Sequence, residues 1–149
     1  MRKKSALLVV SLVLLWAINA FAKESLTPEH IDGVKVVTPH EAYEMQKNGA
    51  HIIDARKKIE YMESHIKGAV LVSYKGKTEN KPDFDLDAYD YPLEKYFPDK
   101  NAKLIFYCNG VRCWKSYKAV KEALSEGYKN VYWLREGLPA WKKAGLPVE

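Results

Sequence analysis

Cysteine is nearly absent from this chain: two of 149 residues, Cys108 and Cys113. Histidine is scarce too, with four. Neither cysteine has a histidine at the usual ligand spacing, so the sequence points to no metal site, and nothing in it asks for a cofactor. Internal repeats and low-complexity segments are missing, which excludes repeat architectures and leaves a chain sized for one domain with a real core. A charge of one sign is missing as well. The formal net charge is +5, but three of the 24 Lys and Arg residues stand within residues 1–22. Without that stretch 21 basic residues face 19 acidic ones, a balance of +2. The lysines are scattered among Asp and Glu, so there is no basic face for nucleic acid and a solvated surface is the better reading.

The one long apolar run, Ala6 to Ile18, is short for a membrane span of about 20 residues. Arg2, Lys3 and Lys4 precede it, and Ala20-Phe21-Ala22 follows with the small-x-small pattern of a signal-peptidase site. Residues 1–22 are therefore expected to be a secretory signal peptide, with the mature chain at 23–149 starting at Lys23. An uncleaved anchor is the alternative. No cysteine stands directly after Ala22, which argues against a lipoprotein anchor. The expected location is the periplasm or another exported compartment, with no stable membrane association after cleavage.

Along the mature chain, strand and helix patterns alternate. Residues 23–33 read as a polar, extended lead. Strands are expected at 34–37, 51–56, 69–72, 103–108 and 130–134. The expected helices begin with "TPHEAYEMQKNG", where Thr38, Pro39 and Glu41 form a capping box and Asn48-Gly49 a stop. A short helix over 57–65 would place Ile59 and Met62 on one face. Residues 73–91 break the rhythm and read as a surface excursion. Leu93 to Phe97 suits a helical turn. The helix over 114–127 carries Trp114, Tyr117, Val120, Ala123 and Leu124 at helical spacing. A last helix covers 138–145. Trp114 reads as a packing residue, and Trp133 and Trp141 as core. Such alternation implies an α/β fold, a mostly parallel central sheet flanked by helices. Ligands in such sheets sit beyond the carboxyl ends of the strands.

Cys108 lies at such an end, after the apolar strand "KLIFYC" and before the helix. Backbone N–H groups at a helix start, with the positive end of its dipole, favour an anion. A thiol placed there is stabilised as thiolate and becomes a ready nucleophile. Gly110 lets the loop bend inward and Arg112 adds positive charge. The bland alternative is a buried, inert cysteine closing a core strand. For Arg112, a solvent-facing role and a substrate-binding role are equally open. Two cysteines in an exported protein suggest a disulfide, but one closing so short a loop stabilises little.

Three stretches resemble the single-domain rhodanese family: "HIIDARKKIEYMESHIKGAVLVSY", "IFYCNGVRCWKSYKAV" and "GYKNVYWLREGLPAWKKAGLPVE". Their order and spacing cover nearly all of Val34 to Glu149. The resemblance implies a rhodanese-like three-layer fold and a sulfurtransferase. Cys108 would take sulfane sulfur from a donor such as thiosulfate, carry it as a persulfide, and pass it to a thiophilic acceptor, a thiol or cyanide. Asn109, Gly110, Val111, Arg112 and Cys113 would form the loop that holds the persulfide. Asp54, Arg56, Glu60 and His65 map to structural polar positions that orient the loops. A partner protein acting as acceptor stays unspecified.

The chain departs from the commoner family pattern. Its glycine is second after the cysteine instead of third, Cys113 fills the fifth loop place where a hydroxyl or Arg is common, and Ser64 replaces a glycine before His65. A thiol at 113 is a weak donor but can attack. A strained, easily reduced Cys108–Cys113 disulfide that turns the enzyme off is therefore expected, if the Cα atoms lie within roughly 7 Å. The competing functions are a thiol–disulfide redox protein using both cysteines and a non-catalytic rhodanese-like binding module. A phosphatase or arsenate reductase of related fold would need Arg at position 114, where Trp stands, while Arg112 comes too early.

Overall fold

The computed structural model of the protein describes residues 26–149, so the expected signal peptide lies outside the described residues. Five parallel strands form one sheet: β1 (Lys35–Val36), β2 (His51–Asp54), β3 (Val70–Leu71), β4 (Lys103–Tyr107) and β5 (Asn130–Leu134), in the order β1-β5-β4-β2-β3. Among the described residues, five α-helices accompany them: α1 (Pro39–Lys47), α2 (Lys58–Glu63), α3 (Leu93–Tyr96), α4 (Trp114–Ser125) and, after the last strand, α5 (Gly137–Lys143). The α/β architecture with a central parallel sheet is as expected from the alternation of patterns.

The period of two along the strands divides the core. Ile53, Leu104, Phe106, Val131 and Trp133 point to one face, where they meet Tyr117, Val120 and Ala123 of α4 and Leu93 of α3. Ile52, Ile105, Tyr107 and Leu134 point to the other, against Ala42 of α1 and Leu138 and Trp141 of α5. Strand β4 is buried on both faces, as its continuous apolar run demands. Burying side chains of this size stabilises by roughly 1.5–3 kcal/mol each.

The capping box of α1 forms: Glu41 N–H donates to Thr38 Oγ1 at 3.2 Å, and Thr38 N–H to Glu41 Oε2 at 2.8 Å. Such a cap contributes about 1 kcal/mol.

Three expectations are corrected. Ile59 and Met62 of α2 do not form a buried face; they are 61% and 68% exposed. That helix is held by polar contacts instead, such as the Tyr61 hydroxyl donating to the Ala69 carbonyl at 2.8 Å. Residues 73–91 are not a mere surface excursion. Tyr74, Phe84 and Tyr91 are buried within the core beside α4, and a 3-10 turn, Leu86–Ala88, shapes the segment. Lastly, the lead before β1 is not simply extended: Ile31 and Val34 form an antiparallel bridge around a turn.

Candidate active site

Tyr107 of the central strand β4 pairs with Asp54 on one side and Leu134 on the other. The chain leaves the sheet at the next residue, Cys108, and reaches α4 six residues later, at Trp114. The loop between is held from three directions. From the α5 side, Leu138 N–H donates to the Cys108 carbonyl at 3.0 Å. Gly137 permits that approach: its φ is +65°, and a Cβ there would collide with the Cys108 carbonyl. Within the loop, Gly110 at φ +112° makes the turn that lets Cys113 N–H donate to its carbonyl at 2.9 Å. From the lead segment, Thr27 donates both its N–H and its hydroxyl to the Val111 carbonyl, each at 2.8 Å. Arg135 in turn pins the lead, donating from Nη2 to the Thr27 carbonyl and from Nε to the Pro28 carbonyl, both at 2.7 Å.

Cys108 and Cys113 are joined as a disulfide, with Cα atoms 6.1 Å apart. That spacing lies within the normal range for the bond. Cys108 is 1% exposed, whereas Cys113 is half-buried at the N-cap of α4, where its side chain makes no capping bond. No acidic residue stands in the first turn of α4, and Lys115 does. The helix start therefore presents positive potential toward the loop.

Beneath the loop, a buried polar network runs from the core outward. Asp54 and Arg56, with side chains 0% and 4% exposed, form a bidentate pair: Nη2 to Oδ2 at 2.6 Å and Nε to Oδ1 at 3.0 Å. Tyr107 donates its hydroxyl to Asp54 and accepts Ile66 N–H at 3.2 Å. Arg56 also donates to the Ser64 carbonyl at 2.8 Å and to Asn109 Oδ1 at 3.4 Å. Asn109 passes the chain on, donating Nδ2 to Glu60. Glu60 accepts Lys57 N–H at 3.0 Å. Burial works against the Arg56 charge, but the Asp54 carboxylate more than offsets it, and the net shift is upward. Glu60 behaves likewise with opposite sign. Burial raises its pKa, the Lys57 N–H and the Asn109 amide outweigh that, and the carboxylate stays ionised below its ordinary value.

Of the expected polar positions, Asp54, Arg56 and Glu60 thus converge on Asn109 and the loop. His65 does not. Its ring stacks on Tyr61 at 3.6 Å, Nδ1 lies 2.8 Å from the Tyr61 carbonyl, and Nε2 lies 3.3 Å from Glu149 Oε1. It ties α2 to the chain's last residues. Arg112 is exposed on the loop.

Sequence reasoning did not single out Thr27, Tyr107, Lys115, Lys118, Arg135 or Gly137. Only Gly137 left a trace, in the "EGLPAW" stretch; the others act through partners distant in sequence. Lys115 donates to the Tyr74 carbonyl, and Lys118 to the Thr78 carbonyl, each at 2.6 Å. With Cys113, Trp114, Thr78 and Asn80 they line a cavity of about 270 Å³ behind the loop. Burial lowers the pKa of both lysines; the charge of Lys57 adds to the effect at Lys115, and that of Lys115 at Lys118. Trp114 packs edge-on against Tyr117, yet its indole N–H has no partner there. Among the described residues, no group of three or more His, Cys, Asp or Glu is gathered for a metal ion.

A parallel α/β sheet with a cysteine leaving its central strand into a tight loop and helix is the architecture of the rhodaneses. Residues 38–144 match the Rhodanese-like domain, and the chain belongs to that family. The thiosulfate sulfurtransferase GlpE of Haemophilus influenzae is 28% identical over 116 residues, covering 77% of this chain and 94% of its own. Among solved structures, the Rhodanese_3 like domain of an Anabaena protein superposes with a TM-score of 0.52 at 27% identity, over 67% of this chain and 98% of that one. A thiosulfate sulfurtransferase from Pseudomonas aeruginosa gives 0.59 at 24%, over 78% and 20%, and so bears on the fold alone.

Proposed function

We propose that the protein is a sulfurtransferase that carries sulfane sulfur as a persulfide on Cys108. The observation that carries this reading is the placement of Cys108 itself, at the carboxyl end of the central strand and the mouth of the loop that opens α4. Reduction of the disulfide frees the thiol. The Cys108 thiolate then attacks the outer sulfur of thiosulfate. The S–S bond of thiosulfate breaks, and sulfite leaves with the electron pair. The persulfide is anionic, and the start of α4, with the positive charges of Arg112 on the loop and Lys115 in the helix's first turn, favours it there. A thiol or cyanide next attacks the outer sulfur, and Cys108 departs as thiolate, ready for another donor. No general base is needed once the thiol is ionised. The naming of the Haemophilus relative as a thiosulfate sulfurtransferase supports thiosulfate as the donor class.

Asn109 to Cys113 hold the persulfide in this scheme, and Asp54, Arg56 and Glu60 position the loop. The leader of residues 1–22 sends the chain to the periplasm or another exported compartment, and cleavage leaves it free of the membrane. Among the described residues no helix is long and apolar enough to cross a membrane. The joined cysteines favour one second reading, a thiol–disulfide redox protein.

The test is thiosulfate:cyanide transfer by the reduced protein, read as thiocyanate. The parent turns over and Cys108→Ser, whose hydroxyl cannot carry the sulfur, does not. Equal turnover by the serine variant refutes Cys108 as the sulfur carrier. N-terminal sequencing of the exported protein should begin at Lys23.

A further inference from the structure

We propose that Cys113 is a resolving cysteine that releases the sulfur of the Cys108 persulfide as hydrosulfide. This rests on the sulfurtransferase reading and gives it an internal acceptor. The disulfide shows that the Cys113 sulfur reaches Cys108 Sγ, the atom that becomes the inner sulfur of the persulfide. Attack there forms the Cys108–Cys113 bond and breaks the bond between Cys108 and the outer sulfur. Hydrosulfide leaves with the electron pair. The two thiols are oxidised to a disulfide and the sulfane sulfur is reduced, so no outside oxidant enters. The overall step converts thiosulfate and two thiols into sulfite, hydrosulfide and one disulfide.

Three features separate this role from that of a staple. The bridge spans a sequence separation of only five, so its loop-closure contribution is small. The loop is already fixed without it, through the hydrogen bonds of Leu138, Thr27 and Cys113 N–H. And Cys113 stands at an N-cap without capping, so its side chain is not committed to the helix.

The cycle closes with a reductant, a dithiol of the thioredoxin class. Cys113 is the accessible half of the bridge, and it borders the cavity behind the loop. The reductant's thiolate attacks the Cys113 sulfur, and Cys108 leaves as the thiolate that the start of α4 stabilises. The second thiol of the reductant then attacks the mixed disulfide and frees Cys113. The leaving group of the reductive step is thus the nucleophile of the next sulfur transfer.

The experiment mixes the fully reduced protein, freed of reductant, with thiosulfate and no added thiol or cyanide. Sulfite, sulfide and protein mass are followed together. The parent should release sulfide equal to its sulfite, stop after a single turn, and end two hydrogens lighter; a dithiol protein should restart it. For each sulfite they release, Cys113→Ser and Cys113→Ala should yield about tenfold less sulfide or lower, and they should stay one sulfur atom heavier at Cys108. A parent that releases sulfite but keeps the extra sulfur on Cys108, with no disulfide, overturns the resolving role and leaves the sulfurtransferase reading standing. Sulfide from either variant at the parent's level overturns it too. A parent that yields neither sulfite nor sulfide overturns both.

Discussion

Two clusters of buried charge lie on opposite faces of the sheet, and they solve the same problem differently. Under the Cys108 loop, Asp54 and Arg56 neutralise each other through several short hydrogen bonds, and Tyr107 and Ser64 satisfy what remains. Behind α4, Glu122 is 3% exposed and, among the described residues, forms no ion pair; its partner is the Tyr74 hydroxyl at 3.0 Å. Burial pushes the Glu122 carboxyl up to about 7, the Tyr74 bond opposes this, and the charges of Glu126, Asp87 and Asp85 add to the rise. The first cluster is closed by its own ion pair. The second changes charge within the physiological range. A paired charge builds a fixed platform for the loop, whereas an unpaired acid makes the opposite face sensitive to pH.

The largest effect is expected from breaking the pair. Asp54→Ala leaves Arg56 buried without its carboxylate and should cost about 3–5 kcal/mol. Urea unfolding measures this, and a loss near zero would mean that the pair does not hold the platform. Glu122→Gln should act in the other direction. Its carboxyl has a folded value above the ordinary 4.5, so the stability it lends is fully present below about 4.5 and is lost as pH rises through about 7. At pH 8 the glutamine variant should therefore be more stable than the parent by on the order of 2 kcal/mol, with the gap closing toward pH 4.5. A gap independent of pH would remove the contrast between the clusters. The smallest change in stability belongs to Asn109→Ala. Asn109 is exposed and bridges Arg56 to Glu60. Its loss should cost about 1 kcal/mol or less, yet lower thiosulfate kcat/KM about tenfold by loosening the loop. Unfolding and steady-state kinetics on the same variant separate the two effects.

The strand–loop–helix around Cys108 could be read from sequence because its signals are local: an apolar run, a glycine, and helical spacing after Trp114. Asp54, Arg56 and Glu60 were visible as positions, but not their meeting on Asn109, which depends on the neighbouring ends of β2 and β4. The far side of α4 was hidden. Lys118 and Glu122 look like a solvated face by spacing, and they are buried only because Tyr74, Phe84 and Tyr91 fold the 73–91 segment over the helix. Ile59 and Met62 misled in the opposite sense: they share a helical face, and that face meets solvent. The latch of Thr27 on the Val111 carbonyl spans 84 residues and leaves no local pattern.

The central claim is that Cys108 is the atom that takes sulfur, and it is tested most directly by the sulfite burst. Reduced protein mixed with excess thiosulfate should release about one sulfite per chain in the first turnover, whatever later becomes of the persulfide, and Cys108→Ser should release none. A parent without a burst, or a serine variant with the same burst, would contradict the account.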